Sequence, residues 1–211
     1  AKKEVPTICF PFIRDDQLIN IKYRAKDKDF KLHKNAELIF YNIDSIKNET
    51  TAIIVEGEID CLSLHEAGIY NVVSVPNGAG TGQLQLKYLD NCWQEFEDKD
   101  KIILFTDNDT VGLALRDELA RRLGKERCYK VDYPEGCKDA NDILIKHGKP
   151  MLQSIIDQAK KWPLDGIVTM DDIYETVEDY YVNGYPKGVK AGIGEFDELL
   201  SFSGGQMTVV T

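Results

Sequence analysis

Residues 101–109 read KIILFTDND, and this stretch constrains the fold more than any other in the chain. Ile102, Ile103, Leu104 and Phe105 form an unbroken apolar run. A strand with one wet face alternates apolar and polar residues, so the unbroken run predicts a central strand covered on both faces. The run ends in Thr106-Asp107-Asn108-Asp109, and Leu115, Leu119 and Leu123 follow at four-residue steps before Gly124. That spacing predicts a helix beginning just after the acids. Asp107 and Asp109 then sit at the carboxyl end of a strand and the amino end of a helix, where open α/β sheets bind ligands and the helix dipole favours ionised acids. An isolated Asp-x-Asp in such a loop is more often a helix cap than a site, so a functional reading needs partners elsewhere. A calcium loop of the EF-hand kind is excluded, because Val111 and Leu115 stand where it requires oxygen ligands and a strand, not a helix, precedes it.

The partners come from the other strand ends. Residues 51–55, TAIIV, read as a second buried strand, ending in Glu56-Gly57-Glu58-Ile59-Asp60 and followed by a helix closed by Gly68. Residues 72–75 and 128–131 read as further strands, residues 83–96 as helical, and Lys138-Asp139-Ala140-Asn141-Asp142 as the opening of a helix that runs to Gly148. Strands alternating with helices predict an α/β fold, a mainly parallel sheet with helices on both faces. Such a sheet places its strand ends on one rim, so Glu56, Asp107, Asp109 and Asp139 can converge. Carboxylates gathered at one point repel one another, and the natural compensation is one or two hard divalent cations, with Mg²⁺ expected. The glycine-rich residues 78–82 lack both the dinucleotide fingerprint and the lysine of a P-loop, and His33, His65 and His147 have no ligand spacing.

Charge bears on the partner. The net charge of −10 disfavours a protein that grips nucleic acid over its whole surface, yet residues 20–34 carry Lys22, Arg24, Lys26, Lys28, Lys31 and Lys34 against only Asp27 and Asp29. Loose alternation over residues 17–24 and the apolar residues 38–41 predict a small strand-rich region around this patch, whose lysines on composition alone belong to a solvated strand face. No apolar run is long enough to span a membrane, and residues 1–4 lack a signal-peptide core. The five cysteines form no Cys-x-x-Cys pair, which argues against a zinc ribbon and suits a reducing compartment.

Taken in order, Glu56-Gly57, Asp107-x-Asp109 and the KDAND of residues 138–142 resemble the topoisomerase-primase (Toprim) family, and VEGEID and KDAND are most similar to phage primase-helicases and Twinkle-like helicases. The resemblance covers residues 52–148. It implies a Rossmann-like Toprim sheet, with Glu56 as general acid/base or metal-proximal acid and Asp107, Asp109 and Asp139 as acids that hold Mg²⁺ or Mn²⁺. The residues KYRAKDKDFK look like the basic strand subdomain of those primases, which makes Lys22, Arg24, Lys28 and Lys31, with Lys138, candidates for contacts to template or nucleotide phosphates. Residues 188–211 resemble the opening of a ring helicase, with residues 206–211 as the strand leading to a P-loop and the helix near residues 173–181 facing an adjacent subunit. The implied organisation is a basic subdomain over 1–50, a Toprim domain over 51–160, a linker helix region over 161–188 and a helicase start over 189–211. No zinc module is expected in this chain, which reads as a fragment of a larger protein. The implied function is RNA primer synthesis on single-stranded DNA from ribonucleoside triphosphates by two-metal nucleotidyl transfer, weak in the isolated fragment. A Toprim nuclease and a non-catalytic DNA-binding module of a Twinkle-like helicase are the alternatives. The implied partners are the helicase domain of the same polypeptide and neighbouring subunits of a ring, with no membrane. The implied location is the cytoplasm of a bacterial or phage-infected cell, ahead of the mitochondrial matrix.

Overall fold

The computed structural model describes residues 5–26, 30–77, 86–164, 166, 170–184, 188–195, 197, 202 and 205. Two compact units divide the chain, Ala1–Leu164 and Asp165–Thr211.

The first unit opens with an antiparallel sheet of β1 (Thr7–Arg14), β2 (Gln17–Ala25) and β3 (Phe30–Leu32), in that order. Asp15 and Asp16 join β1 to β2 with φ of 53° and 59°. Positive φ at both central residues marks a hairpin turn whose twist matches that of its strands, and Asp tolerates it better than most residues. Pro11 lies within β1, which is possible because among the described residues β1 is an edge strand paired with β2 alone. Phe10 and Phe12, two residues apart, both point inward and pack edge-on against Tyr41.

The second sheet contains β4 (Thr51–Val55), β5 (Val72–Ser74), β6 (Lys101–Phe105), β7 (Cys128–Lys130) and β8 (Lys160–Lys161), in the order β5-β4-β6-β7-β8. The first four in that order are parallel, and β8 closes one edge antiparallel to β7. The helices of this unit are α1 (Glu58–Glu66), α2 (Lys87–Asn91), α3 (Trp93–Glu97), α4 (Thr110–Leu123), α5 (Ala140–His147) and α6 (Lys149–Asp157).

The apolar runs of β4 and β6 are explained by what covers them. Ala52, Ile54, Ile102 and Leu104 face one core with Tyr88, Leu89 and Phe96 of α2 and α3 and with Leu115, Leu119 and Leu123 of α4. Ile53, Val55, Ile103 and Phe105 face the other, with Cys61 and Leu64 of α1, Ile143 of α5 and Leu152 and Ile155 of α6. Each fully buried aliphatic side chain contributes about 1.5–3 kcal/mol, so a cut such as Leu115→Ala removes a sizeable part of a domain's net stability. The helices after the neighbouring strands β4 and β6 thus leave on opposite faces of the sheet. That divergence opens a crevice at the carboxyl ends of these two strands.

Some local structure departs from the sequence expectation. Residues 38–41 form no strand: Ile39 and Phe40 are fully buried, and Tyr41 makes an isolated bridge to Ser74. Their apolarity serves core filling rather than strand pairing. The helical stretch expected over 83–96 is, from residue 87 on, two short helices broken at Cys92. Residues 78–85, including the whole glycine-rich segment, lie outside the described residues, as does the strand expected over 206–211.

In the second unit, α7 (Met170–Asn183) forms where the apolar spacing predicts it, with Ile173, Val177, Tyr180 and Tyr181 all exposed. Val189 and Phe202 form an isolated antiparallel bridge, and the Asp197 carboxylate accepts hydrogen bonds from the backbone N–H groups of Ala191 and Gly192 at 2.7 and 2.9 Å. Among the described residues no helix is long and apolar enough to cross a membrane.

Candidate active site

An open pocket of about 600 Å³ lies at this crevice, with Glu56, Asp60, Asp107 and Asp139 on its lining opposite Lys22, Arg24 and Phe30 of the small sheet. Each acid is placed by a local feature. Glu56 directly follows β4, and Asp107 follows β6 after one threonine. The Thr106 hydroxyl donates to the Gly112 carbonyl at 2.8 Å and the Tyr133 hydroxyl donates to the Thr106 carbonyl, which fixes the strand exit. Gly112 lets α4 approach closely: a Cβ there would stand 2.2 Å from the Asp107 carbonyl oxygen. Burial pushes the Asp107 carboxyl up, against the opposing effect of Lys138.

Asp139 caps α5, accepting from the Asp142 N–H through Oδ1 at 2.7 Å. The loop before it is tied to the β6 exit twice. Asn108 N–H donates to the Lys138 carbonyl at 2.7 Å, and the Lys138 ammonium donates to Asp107 Oδ2 at 3.1 Å. The same ammonium lies 3.8 Å from Asp139 Oδ2. A single positive charge therefore sits between two of the expected metal acids.

Asp60, in the first turn of α1, is a site residue that sequence reasoning passed over. Its Oδ1 accepts the Asn141 N–H at 3.0 Å, which links the first turns of α1 and α5. Burial, and next the charge of Asp139, push its carboxyl up to about 7. Its signal was an acid one helical turn beyond a strand that already ends in Glu56.

The other expected residues separate. Asp109 caps α4, accepting from the Val111 and Gly112 N–H groups through Oδ1 at 3.0 and 2.9 Å; it is exposed and not part of the pocket lining. Lys22 is buried rather than solvated, its ammonium 2.8 Å from Glu58 Oε1 and 5.1 Å from the centre of the Phe30 ring. The Arg24 guanidinium lies 5.4 Å from the same ring. Strand register accounts for this grouping: Lys22 pairs with Leu32 and Arg24 with Phe30 on one face, while Tyr23 pairs with Lys31 on the other. Lys31 is thus exposed away from the pocket. Lys28 lies outside the described residues.

Among the described residues no three acidic, histidine or cysteine side chains are gathered closely enough to hold a metal ion. The donors still fit a hard divalent cation: the carboxylates of Glu56, Asp60, Asp107 and Asp139 offer only oxygens, and the Lys138 ammonium already places a cation between two of them.

A mainly parallel sheet with acids at the ends of two neighbouring inner strands and a third acid at a neighbouring helix start defines a topoisomerase-primase type of fold. Residues 53–144 match the Toprim-like family, and the chain carries a Toprim domain. It is 36% identical over 222 residues to the Twinkle homolog protein, chloroplastic/mitochondrial, of Arabidopsis thaliana, a match covering 97% of this chain and 31% of that protein. It is 39% identical over 173 residues to the primase homolog protein of the same plant, covering 74% of this chain and 51% of that protein. The chain thus spans about a third of the length of the first of these curated relatives and about half of the second. Among solved structures it resembles the primase fragment of the bacteriophage T7 primase-helicase protein, with a TM-score of 0.63, 24% identity and coverage of 72% of this chain and 63% of that one.

Proposed function

We propose that this chain is the nucleotidyl-transfer portion of a DNA primase, one that joins ribonucleotides opposite a single-stranded DNA template, as part of a longer primase-helicase. One observation carries the reading: a cationic and aromatic strand face and a set of strand-end acids line the same pocket at the divergence of β4 and β6. The names of the relatives, primase homolog and Twinkle homolog, support it.

Glu56, Asp107 and Asp139 would hold Mg²⁺, with Asp60 beside them and Asp109 fixing the start of α4. Mg²⁺ when bound lowers the pKa of an attacking hydroxyl and neutralises charge on departing phosphate. The chain's own residues bind and orient. Arg24 offers a planar fork of donors for phosphate, and Lys22 has three N–H donors, one of them given to Glu58. Phe30 offers a ring face for a base. Glu56 takes the proton of the hydroxyl that attacks, because it stands at the end of β4 on the rim of the pocket. The helicase domain, the ring neighbours that would meet the apolar stripe of α7, and Mn²⁺ as an alternative metal belong to the same proposal. For location, the chloroplastic/mitochondrial designation of the Arabidopsis relative sets an organellar address beside the cytoplasmic one.

The test is to incubate labelled ribonucleotides, single-stranded DNA and Mg²⁺ or Mn²⁺ with the parent protein. Short RNA products support the primase reading. Cut template without RNA supports a Toprim nuclease, in which the same acids activate water, and DNA binding with neither product supports the non-catalytic module.

A further inference from the structure

Lys138 lines the pocket and has no part in the chemistry proposed above. Its ammonium lies 3.1 Å from Asp107 Oδ2 and 3.8 Å from Asp139 Oδ2, and its carbonyl accepts the Asn108 N–H, so both its backbone and its side chain bind the acid loops. The side chain is more than half exposed, unlike the two acids it joins, and it lines the pocket. An exposed cation on a flexible stem is therefore held by two partly buried acids, Asp139 fixed by its cap and Asp107 by the packing of Gly112 against its carbonyl.

We propose that Lys138 is an internal counter-ion: it neutralises Asp107 and Asp139 in the metal-free protein, is displaced when a divalent cation binds them, and is then released to bind nucleotide phosphate in the same pocket. This rests on the reading that these acids hold the metal. The ammonium already draws on Asp107 Oδ2 and Asp139 Oδ2, so it competes with the metal for these oxygens. After displacement the four-carbon stem keeps the charge inside the pocket, where a nucleotide phosphate can pair with it. Metal and nucleotide therefore bind cooperatively through one side chain, and linkage makes the effect reciprocal.

The experiment uses the parent protein and Mn²⁺ titrated by calorimetry and by electron paramagnetic resonance, without nucleotide. Lys138→Met should tighten Mn²⁺ binding roughly fivefold, the scale of an exposed ion pair that no longer has to be broken. Lys146→Met is the control. It removes the same charge from a lysine paired with Asp142 one turn along α5 and should change the affinity less than twofold. With Mn²⁺ present, Lys138→Met should also weaken binding of a non-hydrolysable ribonucleotide, the opposite sign from its effect on the metal. Unchanged or weaker Mn²⁺ binding in Lys138→Met, or equal tightening in Lys146→Met, overturns the counter-ion role while leaving the metal site standing. Wild-type protein that takes up no Mn²⁺ at millimolar concentration overturns the metal assignment itself, and the counter-ion role with it.

Discussion

The ammonium of Lys22 lies 2.8 Å from Oε1 of Glu58, and both groups are buried. Lys22 belongs to β2 of the antiparallel sheet and Glu58 to the first turn of α1, so this ion pair ties the basic sheet to the acid-bearing one. A buried pair gains little over apolar residues of the same size, but losing one member strands the other charge. Lys22→Met and Glu58→Leu should each cost about 3 kcal/mol or more in urea unfolding, and the double change Lys22→Met/Glu58→Leu should recover most of that. Additive losses in the double variant would show that the two residues are not coupled.

Glu56→Gln and Asp107→Asn should each abolish dinucleotide synthesis by the parent protein without loss of fold. Asp107 is held above its ordinary titration range by burial, so removing its charge should not weaken the metal-free protein. Near-normal synthesis with Mg²⁺ in either variant would refute the metal assignment.

Asp60 predicts an unusual pH dependence. Its carboxyl titrates near 7 in the folded chain against an ordinary 3.8, so between these values the folded state holds a proton that the unfolded state has lost. Stability in EDTA should therefore fall as pH rises from about 4 to 7, the reverse of a salt-bridged aspartate, by an amount on the order of 2–4 kcal/mol. Asp60→Asn should flatten this slope and raise stability at pH 7, because the amide oxygen still accepts the Asn141 N–H. A slope unchanged by the substitution would assign it to another group.

How far the sequence revealed this arrangement depends on whether the cause was local. The apolar runs of β4 and β6 and the leucine spacing of α4 are local signals, and each element lies where they put it. β1 was hidden because Pro11 argues against a strand and only two of its eight residues are buried. Residues 38–41 misled for the opposite reason, as their apolarity fills a core without pairing. Within the candidate site, the acids at strand ends were legible from the alternation of strands and helices. The burial of Lys22 was not, because its partner lies 36 residues away on another sheet's helix. The separation of Lys31 from Arg24 depends on the β2 to β3 register, which composition does not encode.

Gly112→Ala tests how tightly the acid loop is built. In a free helix the change should stabilise by about 1 kcal/mol, since alanine is the better helix former. Here the added Cβ would stand 2.2 Å from the Asp107 carbonyl oxygen and 2.9 Å from its nitrogen, so α4 or the strand exit must move. The expected result is net destabilisation of about 2 kcal/mol or more, with weaker Mn²⁺ binding because Asp107 moves with the loop. A stabilised variant would show that the loop yields at no cost.

The strand register leads to the last prediction. Arg24 faces the pocket beside Phe30, whereas Lys31 lies opposite Tyr23 on the other face of the same sheet. If the pocket face grips the nucleic-acid backbone, Arg24→Ala should weaken single-stranded DNA binding and reduce the slope of log K against log salt by roughly 0.7, the value for one phosphate contact on a single strand. Phe30→Leu should weaken binding at every salt concentration without changing the slope, because stacking involves no counter-ion release. Lys31→Ala should leave affinity and slope nearly unchanged, although its charge is the same and it lies seven residues along the chain. Fluorescence anisotropy with a labelled oligonucleotide from 50 to 300 mM salt, on the order of the range over which such slopes are resolved, separates the three variants. Equal losses from Arg24→Ala and Lys31→Ala would mean that the DNA senses the net charge of the segment and not the face that lines the pocket.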